Sequence, residues 1–320
     1  MKNLNKKKVL ITWKYIFPEL KNFNKFFKKE KINYTTYKNK KIKQFLKEKD
    51  LLKVISNYDG ILCGDDEITK KVINKATKLK VISKWGTGLN SINVSYAKKR
   101  GIKIFNSPKA FIESVSVYAI GMIINLSRHL IKVHNSVKAG KWEKFSGIEL
   151  KGKKLGIIGY GKIGKRIAKL AKAFGLKILI NDTKKTLKKN IEKKGYYFLN
   201  KTSLLKKCDF LCLATDLNET SYHLISHKEF SVMKKNLILI NISRGPVINE
   251  ESLIKALKKN KIFAAGLDVF ENEPLHMRNQ LRKLKNCEFS SHNAFNTLEA
   301  VKRTHRDSIF NLINGLKIKK

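Results

Sequence analysis

Residues 154–164 read Lys-Leu-Gly-Ile-Ile-Gly-Tyr-Gly-Lys-Ile-Gly, a short apolar run followed at once by a glycine-rich hexapeptide of the form GxGxxG. The apolar run predicts a strand, and residues 162–174 predict a helix. In that context Gly159 makes a tight turn, Gly161 lets the backbone approach a pyrophosphate, and Gly164 permits close packing of helix on strand. The phosphates would lie at the positive N-terminus of the helix. The stretch therefore predicts a dinucleotide site on a parallel α/β sheet.

Asp182 ends the next apolar run and follows Gly164 at close to the spacing of about 20 residues expected for an acid that binds ribose hydroxyls. A carboxylate there accepts hydrogen bonds from both hydroxyls and repels a 2′-phosphate, which favours NAD over NADP. Lys184 and Lys185 lie just beyond it and would soften that discrimination. The alternative for Asp182 is an ordinary cap of a helix at 183–189.

Short apolar runs alternate with amphipathic segments on both sides of this motif. Before it, strands are predicted at 8–12, 60–64, 81–83 and 102–105, with helices at 46–56, 68–79 and 94–100. From the motif onward, strands are predicted at 154–159, 177–182, 209–214, 237–243 and 264–270. These later runs are almost uninterrupted hydrophobics, as in parallel strands buried on both faces. A long helical stretch is expected at 110–140, and a last amphipathic stretch at 298–316 is expected to pack back on the first domain.

The charge of the chain is unusual, with 69 basic and 25 acidic side chains and a formal net charge of +44. Such a charge could hold nucleic acid by electrostatics alone. Only eight of the basic residues are arginines, however, and arginine is the side chain favoured for bidentate and stacking contacts to bases. The lysines are spread along the whole chain without a basic block. We therefore expect a solvated lysine surface and no specific nucleic-acid partner.

The cysteines and the apolar runs also limit the class of protein. The four cysteines, Cys63, Cys208, Cys212 and Cys287, show neither a CxxC pair nor zinc-like spacing, so no metal site is predicted. The N-terminal apolar run is too short for a signal peptide, and no run reaches the ~18–20 apolar residues of a membrane span. These patterns predict a soluble, cytoplasmic protein with reduced thiols and no membrane partner.

Reactive side chains follow the ends of three further apolar runs: Arg244, then Asp268 with Glu273, then His292. Ligands of doubly wound folds bind at the carboxyl ends of the strands, so we expect these groups at one edge of the sheet. A guanidinium, a carboxylate and an imidazole suit a substrate that carries a carboxylate beside a carbonyl or alcohol. The alternative for each is a surface ion pair or a helix cap. That alternative is what we expect of the other six histidines: His129, His134, His223, His227, His276 and His305.

Six motifs occur in a fixed order: Trp85-Gly-Thr-Gly-Leu-Asn-Ser-Ile-Asn93, Asn106-Ser-Pro108, the GxGxxG hexapeptide, Asn241-Ile-Ser-Arg-Gly245, Gly266-Leu-Asp-Val-Phe270 with Glu273-Pro274, and Ser291-His-Asn-Ala294. Together they resemble the D-isomer-specific 2-hydroxyacid dehydrogenases, a family that includes phosphoglycerate dehydrogenases, over essentially the whole chain. The resemblance implies two Rossmann-like α/β domains with parallel sheets and a cleft between them. The substrate domain is expected at 1–105, completed by 294–320, with an NAD-binding domain at 106–293 inserted in it.

The resemblance also implies a role for each matching residue in hydride transfer between NAD and a small D-2-hydroxy acid or 2-oxo acid. Arg244 would bind the substrate carboxylate, His292 would act as acid–base, and Glu273 would stabilise its imidazolium. The backbone of Thr87 and Gly88 would also hold the carboxylate. Cofactor contacts are implied for Gly159, Gly161, Lys162, Ile163, Gly164, Asp182, Thr215, Ile242 and Asp268, the last near the nicotinamide carboxamide. The helix from Ala110 is expected to belong to the contact of a homodimer.

The loop after the second predicted strand lines the substrate pocket in the family, and here it carries three acids, Asp65, Asp66 and Glu67. Three carboxylates would repel a phosphate unless a lysine such as Lys84 compensates. The sequence also ends without the regulatory domain that many phosphoglycerate dehydrogenases carry. We therefore expect 3-phosphoglycerate to be allowed as a substrate but not favoured over another small 2-hydroxy acid.

The sequence departs from the family pattern at three positions: Asn93, Val117 and Thr215. These departures concern packing around the site more than its chemistry. The non-enzymatic alternative is an NADH-sensing scaffold of the same fold. The presence of all three residues, Arg244, Glu273 and His292, argues against this alternative.

Overall fold

The chain divides into two compact α/β units, each built on its own parallel sheet. The computed structural model describes residues 6–37 and 45–317, so the first five residues of the N-terminal segment considered above lie outside the described part. Unit 1 comprises residues 1–111 with 297–320, and unit 2 comprises residues 112–296. Unit 2 thus begins at 112 against an expected 106, and the second segment of unit 1 begins at 297 against an expected 294.

Unit 1 holds a five-stranded sheet in the order β2-β1-β3-β4-β5. Its strands are β1 (Lys7–Ile11), β2 (Ile32–Thr36), β3 (Gly60–Cys63), β4 (Val81–Lys84) and β5 (Lys103–Phe105). Its helices are α1 (Asn24–Lys29), α2 (Glu48–Leu51), α3 (Lys70–Lys75), α4 (Val94–Lys99) and α12 (Leu298–Lys317), with 3-10 helices at Lys14–Phe23 and Ile55–Asn57. The central strands β3 and β4 are buried along their whole length, including the polar residues Ser83 and Lys84 at the end of β4.

The last helix, α12, covers one face of this sheet by packing against β3, β4 and β5, as the sequence predicted. Ser83 Oγ on β4 donates a hydrogen bond to the Ser308 carbonyl oxygen at 2.7 Å. A Cβ on Gly315 would lie 2.8 Å from a methyl carbon of Val81, closer than side chains pack. Glycine at 315 therefore lets the helix approach the strand directly.

Unit 2 holds a seven-stranded parallel sheet in the order β12-β11-β10-β9-β6-β7-β8. Its strands are β6 (Lys154–Ile158), β7 (Lys177–Asn181), β8 (Tyr197–Phe198), β9 (Phe210–Leu213), β10 (Ile238–Asn241), β11 (Ala264–Leu267) and β12 (Cys287–Phe289). Its α-helices are α5 (Ile112–Arg128), α6 (Leu130–Lys138), α7 (Lys162–Ala173), α8 (Lys188–Glu192), α9 (Lys201–Lys207), α10 (His227–Val232) and α11 (Glu250–Lys258). Three 3-10 helices lie at Lys185–Leu187, Gly245–Val247 and Gln280–Lys283. The strand order reverses between β6 and β9, which places a switch point next to the glycine-rich loop.

Two predicted helices differ in the structure, and two strands were not predicted. The helical stretch at 110–140 is two helices, α5 and α6, bent by 60° where His129 takes a left-handed φ of 56° that a continuous helix cannot contain. The helix at 46–56 is reduced to α2 and a 3-10 turn. The unpredicted strands β2 and β8 lie at sheet edges, where half-exposed strands carry too few apolar residues to be recognised.

Among the described residues, no single helix has the length and hydropathy required to cross a membrane, and only α5 and α6 taken together, across their bend, reach both. Nor does this part of the chain bring three or more His, Cys, Asp or Glu side chains into a metal-binding group. The four cysteines are free and buried.

Candidate active site

The glycine-rich loop joins β6 to α7, and its three glycines have different surroundings. Gly159 has a φ of +95°, and a Cβ there would come within 2.6 Å of the Ala214 carbonyl oxygen. A Cβ on Gly164 would fall on the carbonyl of Gly159, so both positions are closed to a larger side chain. A Cβ on Gly161 would meet nothing within 4 Å. The open space in front of Gly161, at the positive end of α7, fits a pyrophosphate.

Asp182 follows β7, and its carboxylate lies against the glycine-rich loop. Oδ2 accepts a hydrogen bond from the Tyr160 N–H at 2.7 Å, and Oδ1 accepts one from the Lys184 N–H at 2.9 Å. The helix considered at 183–189 is not formed as such, because α8 begins at Lys188. Asp182 therefore ties the loop to the end of β7, and its remaining lone pairs can accept hydrogen bonds from hydroxyl groups.

The other residues expected at the cofactor lie at the carboxyl edge of the same sheet. Lys162 and Ile163 form the first turn of α7, Thr215 follows β9, and Ile242 follows β10. The N-cap residue, Gly161, has no side chain to satisfy the first N–H groups of α7, which leaves them for an anionic ligand. A doubly wound sheet binds nucleotides at this edge, next to its switch point.

Arg244 is half-buried and follows β10 in an extended conformation. Its Nη1 donates to the Ser243 carbonyl oxygen at 2.7 Å, and its own carbonyl oxygen accepts from Asn241 Nδ2 at 3.0 Å. A Cβ on Gly245 would fall on the backbone carbonyl of Phe270. The turn after Arg244 therefore lies directly on the loop after β11, and only glycine fits at their contact.

His292 and Glu273 form a hydrogen-bonded pair at the ends of β12 and β11. His292 Nδ1 lies 2.8 Å from Glu273 Oε2, and Glu273 Oε1 accepts from the Phe270 N–H at 3.0 Å. The two side chains are 32% and 36% exposed, respectively. Because an ionised carboxylate only accepts hydrogen bonds, Nδ1 carries a proton and Nε2 is the nitrogen left to exchange one. The pair has the geometry of an acid–base catalyst held by a carboxylate.

Asp268 is buried and holds the backbone that carries His292. The His292 N–H donates to the Asp268 carbonyl oxygen at 2.8 Å. The Asp268 carboxylate accepts from the N–H groups of Asn293, at 2.8 Å, and Ala294, at 3.2 Å. These bonds support the left-handed conformation of His292, whose φ is 56°. The expected contact of Asp268 with the nicotinamide stays a prediction.

A second histidine–carboxylate pair ties the same loops together. His223 Nε2 lies 2.8 Å from Glu271 Oε1, and its Nδ1 lies 3.3 Å from Asn249 Nδ2. The His223 N–H also donates to the Pro246 carbonyl oxygen at 2.8 Å, in the turn that follows Arg244. We expected His223 to form a surface ion pair or a helix cap. The bridge joins loops far apart in sequence, so no local pattern signals it.

In unit 1, the turn 85–88 follows β4 and contains Thr87 and Gly88. Gly86 has a φ of +108°, and Thr87 Oγ1 donates to the Ser107 carbonyl oxygen at 3.2 Å. Three carbonyls of the turn accept hydrogen bonds: Trp85 O from Lys84 Nζ at 2.9 Å, Gly86 O from the Ser107 N–H at 2.8 Å, and Thr87 O from Asn106 Nδ2 at 2.6 Å. Within residues 6–37 and 45–317, nothing accepts a hydrogen bond from the N–H groups of Gly86, Thr87 and Gly88. These donors are available to an anion.

The loop after β3 does not present three acids, contrary to the sequence argument. Asp66 is 1% exposed. Its carboxylate accepts three hydrogen bonds, from Thr12 Oγ1 at 2.7 Å, the Leu46 N–H at 2.6 Å and the Gly64 N–H at 2.8 Å. Burial raises the pKa of Asp66, and these hydrogen bonds oppose the rise. Asp66 therefore stabilises the fold of the loop and does not face a ligand.

Glu67 is likewise engaged in the fold of unit 1. It pairs with Lys47 at 2.7 Å, and the hydrogen bond from Lys47 holds the pKa of Glu67 below its usual range. Of the three acids only Asp65 remains, and Lys84 Nζ lies 3.1 Å from its Oδ1. The sequence argument expected three carboxylates to repel a phosphate. In the structure one carboxylate, Asp65, is left to do so, and it is paired with Lys84.

Comparison with known proteins identifies the family of the chain. The family model described as "D-isomer specific 2-hydroxyacid dehydrogenase, NAD binding domain" matches residues 120–294, more than half of the chain. The chain belongs to the D-isomer-specific 2-hydroxyacid dehydrogenase family. A glyoxylate reductase of Thermococcus litoralis is 38% identical to this dehydrogenase over 261 residues, which are 78% of each chain. A hydroxypyruvate reductase of Thermotoga maritima is 36% identical over 281 residues, 86% of this chain and 90% of that one.

Solved structures of the family share the whole fold of the dehydrogenase. The D-lactate dehydrogenase of Aquifex aeolicus, complexed with NAD and lactic acid, superposes with a TM-score of 0.85 at 26% identity, over 97% of this chain and 95% of that one. The predicted fold of two Rossmann-like domains with parallel sheets is confirmed. The predicted family, cofactor and enzyme class are confirmed as well, and the protein is an NAD-dependent D-2-hydroxyacid dehydrogenase.

Proposed function

We propose that this dehydrogenase reduces a small 2-oxo acid of the glyoxylate or hydroxypyruvate type to the D-2-hydroxy acid, with NADH as the reductant. The observation that carries the proposal is the group of Arg244, Glu273 and His292 at the carboxyl edge of one sheet, with Glu273 Oε2 held 2.8 Å from His292 Nδ1. The names of the relatives from Thermococcus litoralis and Thermotoga maritima support the choice of substrate class.

The three side chains divide the chemistry of the reduction. NADH supplies the hydride when it is bound. The Arg244 guanidinium binds the substrate carboxylate and polarises the neighbouring carbonyl, a planar task that suits arginine better than lysine. His292 donates the proton on Nε2 to the oxygen that becomes negative. Glu273 accepts the Nδ1 proton throughout, which keeps the ring oriented and stabilises its charged form.

The cofactor site is proposed from the loop geometry of unit 2. The N–H groups of Lys162 and Ile163, together with Gly161, bind the pyrophosphate, while Gly159 and Gly164 shape the loop. The Asp182 carboxylate accepts hydrogen bonds from the ribose hydroxyls and favours NADH over NADPH. Further cofactor contacts are proposed for three residues at the carboxyl edge of the sheet: Thr215, Ile242 and Asp268.

We assign the NAD-binding role to unit 2 and the substrate-domain role to unit 1. The available N–H groups of Thr87 and Gly88 support the proposal that the turn 85–88 holds the substrate carboxylate. We also propose a homodimer, because apolar side chains are exposed on α6 and the segment after it, including Leu130, Ile131 and Trp142, the last 82% exposed. The four free, buried cysteines suit a reducing compartment, in line with a cytoplasmic location.

The test is NADH consumption with a panel of 2-oxo acids: glyoxylate, hydroxypyruvate, phosphohydroxypyruvate and pyruvate, with NADPH in parallel. We expect turnover with NADH and glyoxylate or hydroxypyruvate, and at least about 1,000-fold lower kcat for His292→Asn, which loses the acid–base. His227→Asn is the matched control, because His227 is exposed at the start of α10. Tight NADH binding without turnover of any 2-oxo acid would contradict the proposal in favour of the NADH-sensing scaffold.

A further inference from the structure

Lys84 is a buried cation at the end of β4. Its side chain is 4% exposed, whereas lysine is almost never buried without a partner. Nζ donates to the Trp85 carbonyl oxygen at 2.9 Å and lies 3.1 Å from Asp65 Oδ1. The Asp65 side chain is 54% exposed, so its charge is more screened by solvent than that of the ammonium it faces.

The Lys84 ammonium lies beside the turn 85–88. A Cβ on Gly86 would lie 3.7 Å from Lys84 Nζ, so the charge sits directly against the turn. Three carbonyls of the turn are hydrogen-bonded, while the N–H groups of Gly86, Thr87 and Gly88 find no acceptor in the described part of the chain. Unpaired N–H groups beside a buried cation form an anion site, because both lower the electrostatic energy of a negative ligand.

Asp66 also acts electrostatically on Lys84, but it is buried and held by three hydrogen bonds within the fold, and Glu67 pairs with Lys47. Asp65 is thus the partly exposed loop carboxylate that pairs with Lys84 and attenuates its charge. We propose that the Lys84–Asp65 pair sets the positive charge offered to the substrate at the turn 85–88, and thereby how strongly the enzyme prefers monoanionic over dianionic 2-oxo acids. This inference rests on the proposed function, because it places the substrate carboxylate at that turn.

The first test is Asp65→Asn, which removes the charge and keeps the shape. KM for hydroxypyruvate should fall about three- to tenfold with kcat little changed, a size in the range of a solvent-screened interaction with one unit charge. KM for phosphohydroxypyruvate should fall further, because its phosphate adds charge, and both effects should shrink in high salt. Glu67→Gln is the matched control and should leave both values unchanged. Equal KM values for Asp65→Asn and Glu67→Gln, or an equal gain for both substrates, would overturn the inference.

The second test removes the cation. Lys84→Met should raise KM for hydroxypyruvate at least tenfold. Lys84→Arg, which keeps the positive charge, should have a KM close to that of the wild type, whereas a purely structural role of Lys84 would not depend on the charge of its replacement. Lys84→Met also leaves the Trp85 carbonyl without its donor, so its Tm is measured beside that of the wild type. Loss of binding in Lys84→Arg equal to that in Lys84→Met would overturn the charge role.

A binding measurement separates this inference from the proposed function. Oxalate, which carries two carboxylates and does not react, is titrated calorimetrically into the NADH-loaded enzyme. Tighter oxalate binding by Asp65→Asn than by Glu67→Gln supports the charge pair, even if no 2-oxo acid is turned over and the proposed function fails. Turnover by the wild type with equal oxalate affinity in the two variants keeps the proposed function and overturns the charge pair. Absence of oxalate binding in every variant would overturn the charge pair.

Discussion

Replacing Gly161 by alanine should separate cofactor binding from folding. The backbone of Gly161, with φ −71° and ψ −161°, is one that alanine adopts without strain, and a Cβ there would meet nothing within 4 Å. The free energy of unfolding of the cofactor-free protein should therefore equal that of the wild type or rise by up to about 1 kcal/mol, because alanine restricts the conformations of the unfolded chain. The added methyl group instead stands in the space that the pyrophosphate needs.

The expected loss of affinity follows from the contacts displaced. A methyl group in front of the first turn of α7 pushes a pyrophosphate out by about 1 Å or more. One to two charge-assisted hydrogen bonds to N–H groups would be lost, each worth about 1.5–3 kcal/mol. The Kd for NADH should then rise about 10- to 20,000-fold, because each 1.4 kcal/mol is a factor of ten.

The assay pairs a melting curve without cofactor with an NADH titration. Gly161→Ala should keep Tm and lose affinity, whereas Gly159→Ala should lose Tm as well, because its Cβ would strike the Ala214 carbonyl. NADH affinity within threefold of wild type in Gly161→Ala, or a Tm loss as large as that of Gly159→Ala, would refute the reasoning.

Three further perturbations test the site and the fold. Glu273→Gln should lower kcat about 10- to 100-fold with little change in KM, because an amide replaces the charged acceptor of the imidazolium; steady-state kinetics showing less than a threefold loss would contradict this. Gly245→Ala should lower kcat/KM by at least 100-fold by displacing Arg244, and an unchanged value would mean that the turn shifts harmlessly. Burial alone would raise the pKa of Asp209, yet hydrogen bonds from Lys234 and a backbone N–H hold it below the usual value. Its stabilisation is then fully present above pH ~4 and is lost progressively as pH falls through the lower folded pKa, so Asp209→Asn should lower Tm less at pH 3 than at pH 7; an equal loss at both values would refute it.

The parts of the molecule that could be predicted are those where function depends on neighbours in sequence. The glycine-rich loop needs a strand, three glycines and a helix in order, so residues 154–174 specify it locally. Arg244 and His292 could be singled out because reactive side chains after buried strands share one edge of a parallel sheet. His129, by contrast, breaks the helix through its own φ, and no periodicity records a single left-handed residue.

The direction in which an acid faces could not be predicted. Asp65, Asp66 and Glu67 are consecutive and chemically alike, so the sequence suggested one charged surface. In the structure the middle acid turns inward to bind backbone N–H groups, and Glu67 pairs with Lys47. Which acid remains beside the turn 85–88 depends on β1, β3 and β4 together, and that arrangement exists only once the sheet has formed.

The division of unit 1 into two segments has a consequence for synthesis. The strands β1 to β5 leave the ribosome early, whereas α12, which covers one face of their sheet, follows only after the 185 residues of unit 2 (112–296). At about 5–20 residues per second, that face stays uncovered for about 10–40 s. Unit 2 is continuous and can fold first, while the nascent unit 1 sheet is the part of the chain most exposed to aggregation and most in need of a chaperone.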